Sequence, residues 1–287
     1  MSSRWSLCLL LAALFLVGCG GSNAPGSSSW VPDPSSGPAV PGQQVKHTLA
    51  TALDGNIGGY LEYLPGDYAT SNHTYPLMLF CHGVGGLGNG SEASLDKVAN
   101  NGVPRLIRDG AFPAGFTVNQ ESFSFIVVSP QFINWPAASN LVALLDHLTL
   151  SRGLRIDPKR VYVTGLIMGG GLTWSAASSA SSLARIAAVV PVCGALDSSD
   201  AGAKRIADAH LPVWALHNSG DPTVPVSNTQ HWIDAINQCN PAIPPRKTIF
   251  TSTSHDAWTE AYDPEYWETI DGQAMNVYEW MLSYRKP

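Results

Sequence analysis

The strongest constraint on the fold is a series of short apolar runs, each ending in a loop and most leading into a helix-patterned stretch. The runs are Leu77–Cys81, Phe123–Ser129, Val161–Thr164, Ile186–Val192, Val213–His217 and Thr248–Thr251. None alternates strictly between apolar and polar residues, which is the pattern of strands covered on both faces. Apolar residues recur at helical spacing over Asn140–Leu150, and Gly169–Ser182, Thr229–Gln238 and Gln273–Tyr284 read as further helices. Strands alternating with helices predict an α/β fold, a mostly parallel sheet with helices on both faces and right-handed crossovers. Val45–Leu64, richer in Gly and Tyr, predicts an antiparallel pair at the sheet edge.

Composition excludes several functions. With 16 Lys+Arg against 22 Asp+Glu the formal net charge is −6, which opposes nucleic-acid binding. The 287 residues can bury a core without cross-links. No apolar stretch reaches the ~18 residues of a membrane span. At the N-terminus, Arg4 precedes an uncharged run from Trp5 to Val17 and the sequence Leu16-Val17-Gly18-Cys19. A short positive region, an apolar stretch and small residues at a cleavage point describe a secretory signal peptide. The ending resembles the bacterial lipobox, which implies that Cys19 is acylated and becomes the first mature residue. Gly20, where an Asp would retain the protein at the inner membrane, implies an outer-membrane lipoprotein touching the bilayer only through Cys19. The segment to Gln44 is Gly, Ser, Pro and Ala with one charge, Asp33, and reads as a tether. The expected organisation is therefore signal peptide 1–18, lipidated Cys and flexible linker 19–44, and a single domain 45–287. Of Cys81, Cys193 and Cys239, at most two can pair; Cys193 with Cys239 is conceivable.

Chemistry in open α/β sheets collects at the carboxyl ends of strands. Four segments stand there: Cys81-His82-Gly83-Val84-Gly85-Gly86, Gly165-Leu166-Ile167-Met168-Gly169-Gly170, Asn218-Ser219-Gly220-Asp221 and His255-Asp256-Ala257-Trp258. An Asp in a loop is usually a turn residue, so it is the order and placement of the four together that carry weight. FCHG, VVSPQ, RIDPKRVYVTG, GLIMGG, PVWALHNSGDPTVPV and HDAWTEAY together resemble the α/β-hydrolases, specifically the secreted polyhydroxybutyrate-depolymerase-like and feruloyl-esterase-like group. The resemblance runs from about Leu77 to the C-terminus. It implies an α/β-hydrolase fold, ester-bearing small-molecule or polymeric substrates and no cofactor. It assigns Asp221 as the acid, His255 as the base, and the amides of Met168 and Val84 as the oxyanion donors. Asp197, Asp200 and Asp256 are the other candidates for the acid.

The nucleophile does not carry over. The family elbow is G-x-S-x-G, and here it reads Gly165-Leu166-Ile167-Met168-Gly169. Isoleucine has no lone pair and no proton to lose, so no acyl-enzyme forms at that position. Cys81 stands on a different strand end, and Thr173 and Ser175 lie too far along the elbow helix to substitute. His82 in the HG turn, Trp135 and Trp258 are candidate pocket residues, and His217 reads as a core histidine. No H-E-x-x-H, paired C-x-x-C or EF-hand loop appears, so no metal is expected. Three functions follow: an esterase-like protein with lost turnover, an active carboxylic ester hydrolase using another nucleophile, or a purely structural lipoprotein.

Overall fold

The computed structural model describes residues 42–287; the expected signal peptide, Cys19 and nearly all of the tether lie outside them. The main sheet contains β1 (Gln44–Leu53), β2 (Ile57–Tyr63), β3 (Tyr75–Cys81), β4 (Ile126–Phe132), β5 (Ile156–Leu166), β6 (Ala188–Val192), β7 (Trp214–Asn218) and β8 (Arg246–Phe250). Their spatial order is β1-β2-β4-β3-β5-β6-β7-β8. The β1–β2 and β2–β4 pairs are antiparallel, and every pair from β4 to β8 is parallel. The antiparallel edge and the parallel body are both as expected.

The helices that matter to the site are α1 (Gly102–Arg108), α2 (Ala138–Asp146), α3 (Met168–Ser178), α4 (Asp200–Asp208), α5 (Val226–Gln238), α6 (Trp258–Ala261) and α7 (Val277–Leu282). Burial explains the unbroken apolar runs. Along β3, Leu77, Leu79 and Cys81 join a core with Leu141 and Leu144 of α2, Trp174 of α3 and Trp232 of α5. Met78 and Phe80 face the other way, into a core with Tyr278 and Met281 of α7. Each such side chain contributes about 1.5–3 kcal/mol through apolar burial. Both faces are therefore covered, and polar residues have no place in the strand.

Several expected elements are corrected. Phe123–Ser129 is not one strand: Glu121–Phe123 pairs with Phe116–Val118 in a small hairpin, and β4 begins at Ile126. Asn119 and Gln120 turn that hairpin with φ of 50° and 68°. The expected helix Gln273–Tyr284 starts instead as a strand, Gln273–Met275, paired with Glu268–Ile270. Asp271-Gly272, at φ 50° and 81°, is the two-residue turn that favours a hairpin. The helix starts only after Asn276, whose Oδ1 accepts from the amides of Tyr278 and Glu279 while Glu279 returns a bond to the Asn276 amide. The helix at Asn140–Leu150 ends at Asp146 and passes into a wider turn, His147–Ser151. Helices α1 and α4 have no counterpart in the sequence reading. β1 begins at Gln44, one residue inside the expected tether. Cys193 and Cys239 do not pair; Cys81, Cys193 and Cys239 are free thiols. No helix among the described residues is long and apolar enough to cross a membrane.

Candidate active site

A single residue separates β5 from α3. It is Ile167, at φ 56°, ψ −112°. Its amide donates to Val192 O at 3.1 Å, and its carbonyl accepts from Gly171 N and Ala195 N, both at 2.9 Å. A β-branched residue at positive φ is an outlier, at a cost of about 1–3 kcal/mol. The turn cannot relax because α3 is pressed onto β3: a Cβ added at Gly169 would lie 2.0 Å from Cys81 O. The elbow thus keeps its strained shape without the hydroxyl that shape presents in a working enzyme.

The acid and base are assembled from the ends of β7 and β8. His255 Nδ1 lies 2.8 and 2.7 Å from the two Asp221 carboxylate oxygens. Asp221 Oδ1 also accepts from the amides of Thr223 at 2.8 Å and Val224 at 3.0 Å. Its other oxygen is 3.4 Å from His217 Nε2. The Asp221 side chain is fully buried, and hydrogen bonds hold it there. Asn218 Nδ2 donates to Ser254 O at 2.8 Å, which ties the His255 loop to the end of β7. His255 donates to the carboxylate through Nδ1, which leaves Nε2 as the ring's other polar atom. That atom is buried and has no hydrogen-bond partner among the described residues. An unpaired buried acceptor costs about 1–3 kcal/mol, which the donor hydroxyl of a complete triad would remove.

The other expected residues fall as follows. Met168 opens α3 and Val84 opens a short 3₁₀ turn, Val84–Gly86, so neither amide has a partner within its own helix. His82 is buried; Nδ1 donates to Gly83 O at 2.7 Å and Nε2 accepts from Phe132 N at 3.1 Å. Both nitrogens are thus committed to holding the HG loop against β4, and burial lowers the imidazole pKa to about 4. Ile167 packs on that loop: a Cβ at Gly83 would meet Ile167 Cδ1 at 3.0 Å. A pocket of about 230 Å³ lies here, bounded by His82, Lys97, Val98, Asn101, Ile167 and Trp258. Trp258 packs edge-on to His255, with ring centroids 5.3 Å apart. Trp135 is 57% exposed and does not line this pocket. His217 is a fully bonded core residue, with contacts to Thr229 Oγ1 at 2.8 Å and Val224 O at 3.0 Å. Asp256 accepts from the Thr259 amide, and Asp197 is reached by Asn228.

Sequence reasoning missed Cys193. It directly follows β6, at φ 38°, and its sulfur lies within 4.8 Å of a His255 ring nitrogen and an Asp221 carboxylate oxygen. Its place in the sheet order, between the elbow strand and the acid strand, was the available signal. Burial pushes its thiol up to about 12, with the nearby Ile167 backbone opposing the shift. These three residues are the one cluster among the described residues with donors for a metal ion. The Asp221 oxygens are already taken by His255 and by backbone amides. Burial raises the Cys81 thiol further still.

The family model described as phospholipase/carboxylesterase matches residues 69–263. Feruloyl esterase D of Neurospora crassa is 29% identical over 204 residues, 68% of this chain and 65% of that protein. The chain therefore spans about two thirds of that relative's length. A thermostable esterase superposes with a TM-score of 0.60 at 21% identity, over 86% of this chain and 64% of that one. A serine-to-alanine mutant of the feruloyl esterase module from Clostridium thermocellum, complexed with sinapinate, gives 0.53 at 19% identity, over 85% and 90%. At such identities these structures speak for the fold alone.

Proposed function

Because the chain belongs to the phospholipase/carboxylesterase family of α/β-hydrolases, we propose that it is an esterase-like protein that binds an ester-bearing ligand and does not turn it over. The observation that carries this reading is the elbow. Ile167 stands at the elbow position where a nucleophile would, while His255 stays bonded to Asp221 and its Nε2 has no hydrogen-bond partner among the described residues. In a working triad the hydroxyl attacks the ester carbonyl, His takes its proton and Asp orients the His. Here residue 167 offers the base nothing to deprotonate, and direct activation of a water by His255 and Asp221 is the route left to a competing reading. Burial pushes both the Cys193 and the Cys81 thiol well above the ordinary range, which works against either as a nucleophile at neutral pH. Binding and the oxyanion amides alone leave on the order of 10³–10⁴-fold acceleration over water, far below an esterase.

The signal-like N-terminus and Cys19 support a second part of the reading, that acylated Cys19 holds the domain 45–287 at the outer membrane through the tether. An active carboxylic ester hydrolase acting on polyester or ester-decorated polysaccharide is the competing reading. It draws on the intact acid–base pair and needs a nucleophile other than residue 167.

Calorimetric titration of the full chain with a short aromatic ester, with chromatography of the same sample, separates the two. Saturable binding with the ester recovered intact is the expected result. Release of acid and alcohol at enzymic rates overturns it.

A further inference from the structure

A second cleft, of about 310 Å³, adjoins the Ile167 pocket on the far side of Trp258. The two share that indole, and consecutive residues, Asn101 and Gly102, line one each. Trp258 Nε1 donates to Asn101 Oδ1 at 3.3 Å, so the indole and the loop before α1 form the partition. Leu106 and buried Tyr262 contribute the apolar part of the cleft, and Arg105, Asp109 and Asp263 contribute its charges. Arg105 Nε is 3.5 Å from Asp109 Oδ2, while Arg108 holds both oxygens of that carboxylate at 2.8 and 3.3 Å, so the half-exposed Arg105 is loosely held and can turn to a ligand.

We propose that this cleft is a carbohydrate site that takes unesterified pyranosides, independently of the ester pocket. Asp109 and Asp263 together balance Arg105 and the Arg108 that pairs with Asp109, which leaves no excess positive charge for an anion. Arg105 in turn opposes a cationic ligand. A hydrocarbon chain would desolvate the charged groups and return no hydrogen bonds, and a polyester, which has acceptors but no donors, would leave both carboxylates unpaired. A pyranose meets each demand. Its axial C–H face packs on the Trp258 indole, and its hydroxyls donate to the carboxylates and accept from the guanidinium. The cleft is at the small end of ligand pockets, with room for one or two sugar rings. In a protein without turnover, such a site would supply a binding activity of its own, glycan adhesion.

The test is saturation-transfer NMR on the full chain with xylohexaose, cellohexaose and a linear trimer of 3-hydroxybutyrate. Transfer to the ring protons of at least one hexasaccharide is expected, and none to the trimer. Trp258→Ala should weaken the sugar about three- to tenfold, Trp258→Phe should restore most of it, and Arg105→Ala should weaken it severalfold. Circular dichroism checks that each variant is folded. No transfer to either sugar overturns the proposal, as does transfer that Arg105→Ala leaves unchanged, since Trp258 lines both pockets and Arg105 only this one. Transfer to the trimer alone assigns the cleft to polyester and overturns it equally. Ester hydrolysis by the native chain would sink the reading of the Ile167 pocket but leave the sugar signal intact, so the two failures are distinguishable.

Discussion

The two corners of the site have fared differently. At the elbow Ile167 carries no reactive group and holds a φ of 56° between β5 and α3. At the acid–base corner the chemistry remains: Asp221 accepts from His255 and from two backbone amides. The elbow's shape is enforced by backbone contact, since α3 presses on Cys81 too closely for any Cβ at Gly169. The acid–base corner is enforced by hydrogen bonds that would each be costly to leave unmade. Strain at an active site is usually explained by the catalytic group it presents. Here the strained residue is an isoleucine, so packing of the strand–helix joint is its immediate cause.

The largest way to break this contrast is Gly169→Ala. In an exposed helix that exchange would stabilise by up to about 1 kcal/mol. Here the new methyl would start 2.0 Å from Cys81 O, and a loss of roughly 3–5 kcal/mol is expected in urea unfolding. A neutral or stabilising result would mean that packing does not set the elbow.

A slightly smaller effect concerns pH. His82 joins the HG loop to β4, and burial lowers its folded pKa to about 4 from an ordinary 6.5. Between those values the unfolded chain binds a proton that the native chain refuses. Stability therefore falls as pH drops from about 6.5 to 4, by about 3 kcal/mol for this group. Unfolding curves of the native chain and of His82→Gln across that window check it. A native curve as flat as the variant's would remove His82 as the cause.

How much of this was legible in the sequence depended on how local each cause was. The strands β3 and β5, the elbow glycines and the Asp221 and His255 loops are written in contiguous residues, and they fall where expected. The break at Asn276 was hidden because the apolar spacing of a helix continues through it. The Asp271-Gly272 hairpin and the Asn276 cap decide the local structure instead. The proximity of Cys193 to His255 depends on the sheet order, which brings together residues 62 positions apart (255 − 193). The nucleophile position was the most legible feature of all, because a single residue type is required there. The cleft beyond Trp258 was invisible, being built from α1 and from the turn that follows α6.

The central claim is that one missing oxygen separates this site from an esterase. The most direct test is hydrolysis of a short activated ester by the full chain beside Ile167→Ser. The account predicts negligible turnover by the native protein and a gain on the order of 10⁴–10⁶ for the variant, since loss of a triad serine costs about 10⁶ in kcat where the rest of the site is intact. Equal turnover by both proteins, whether fast or absent, would contradict it.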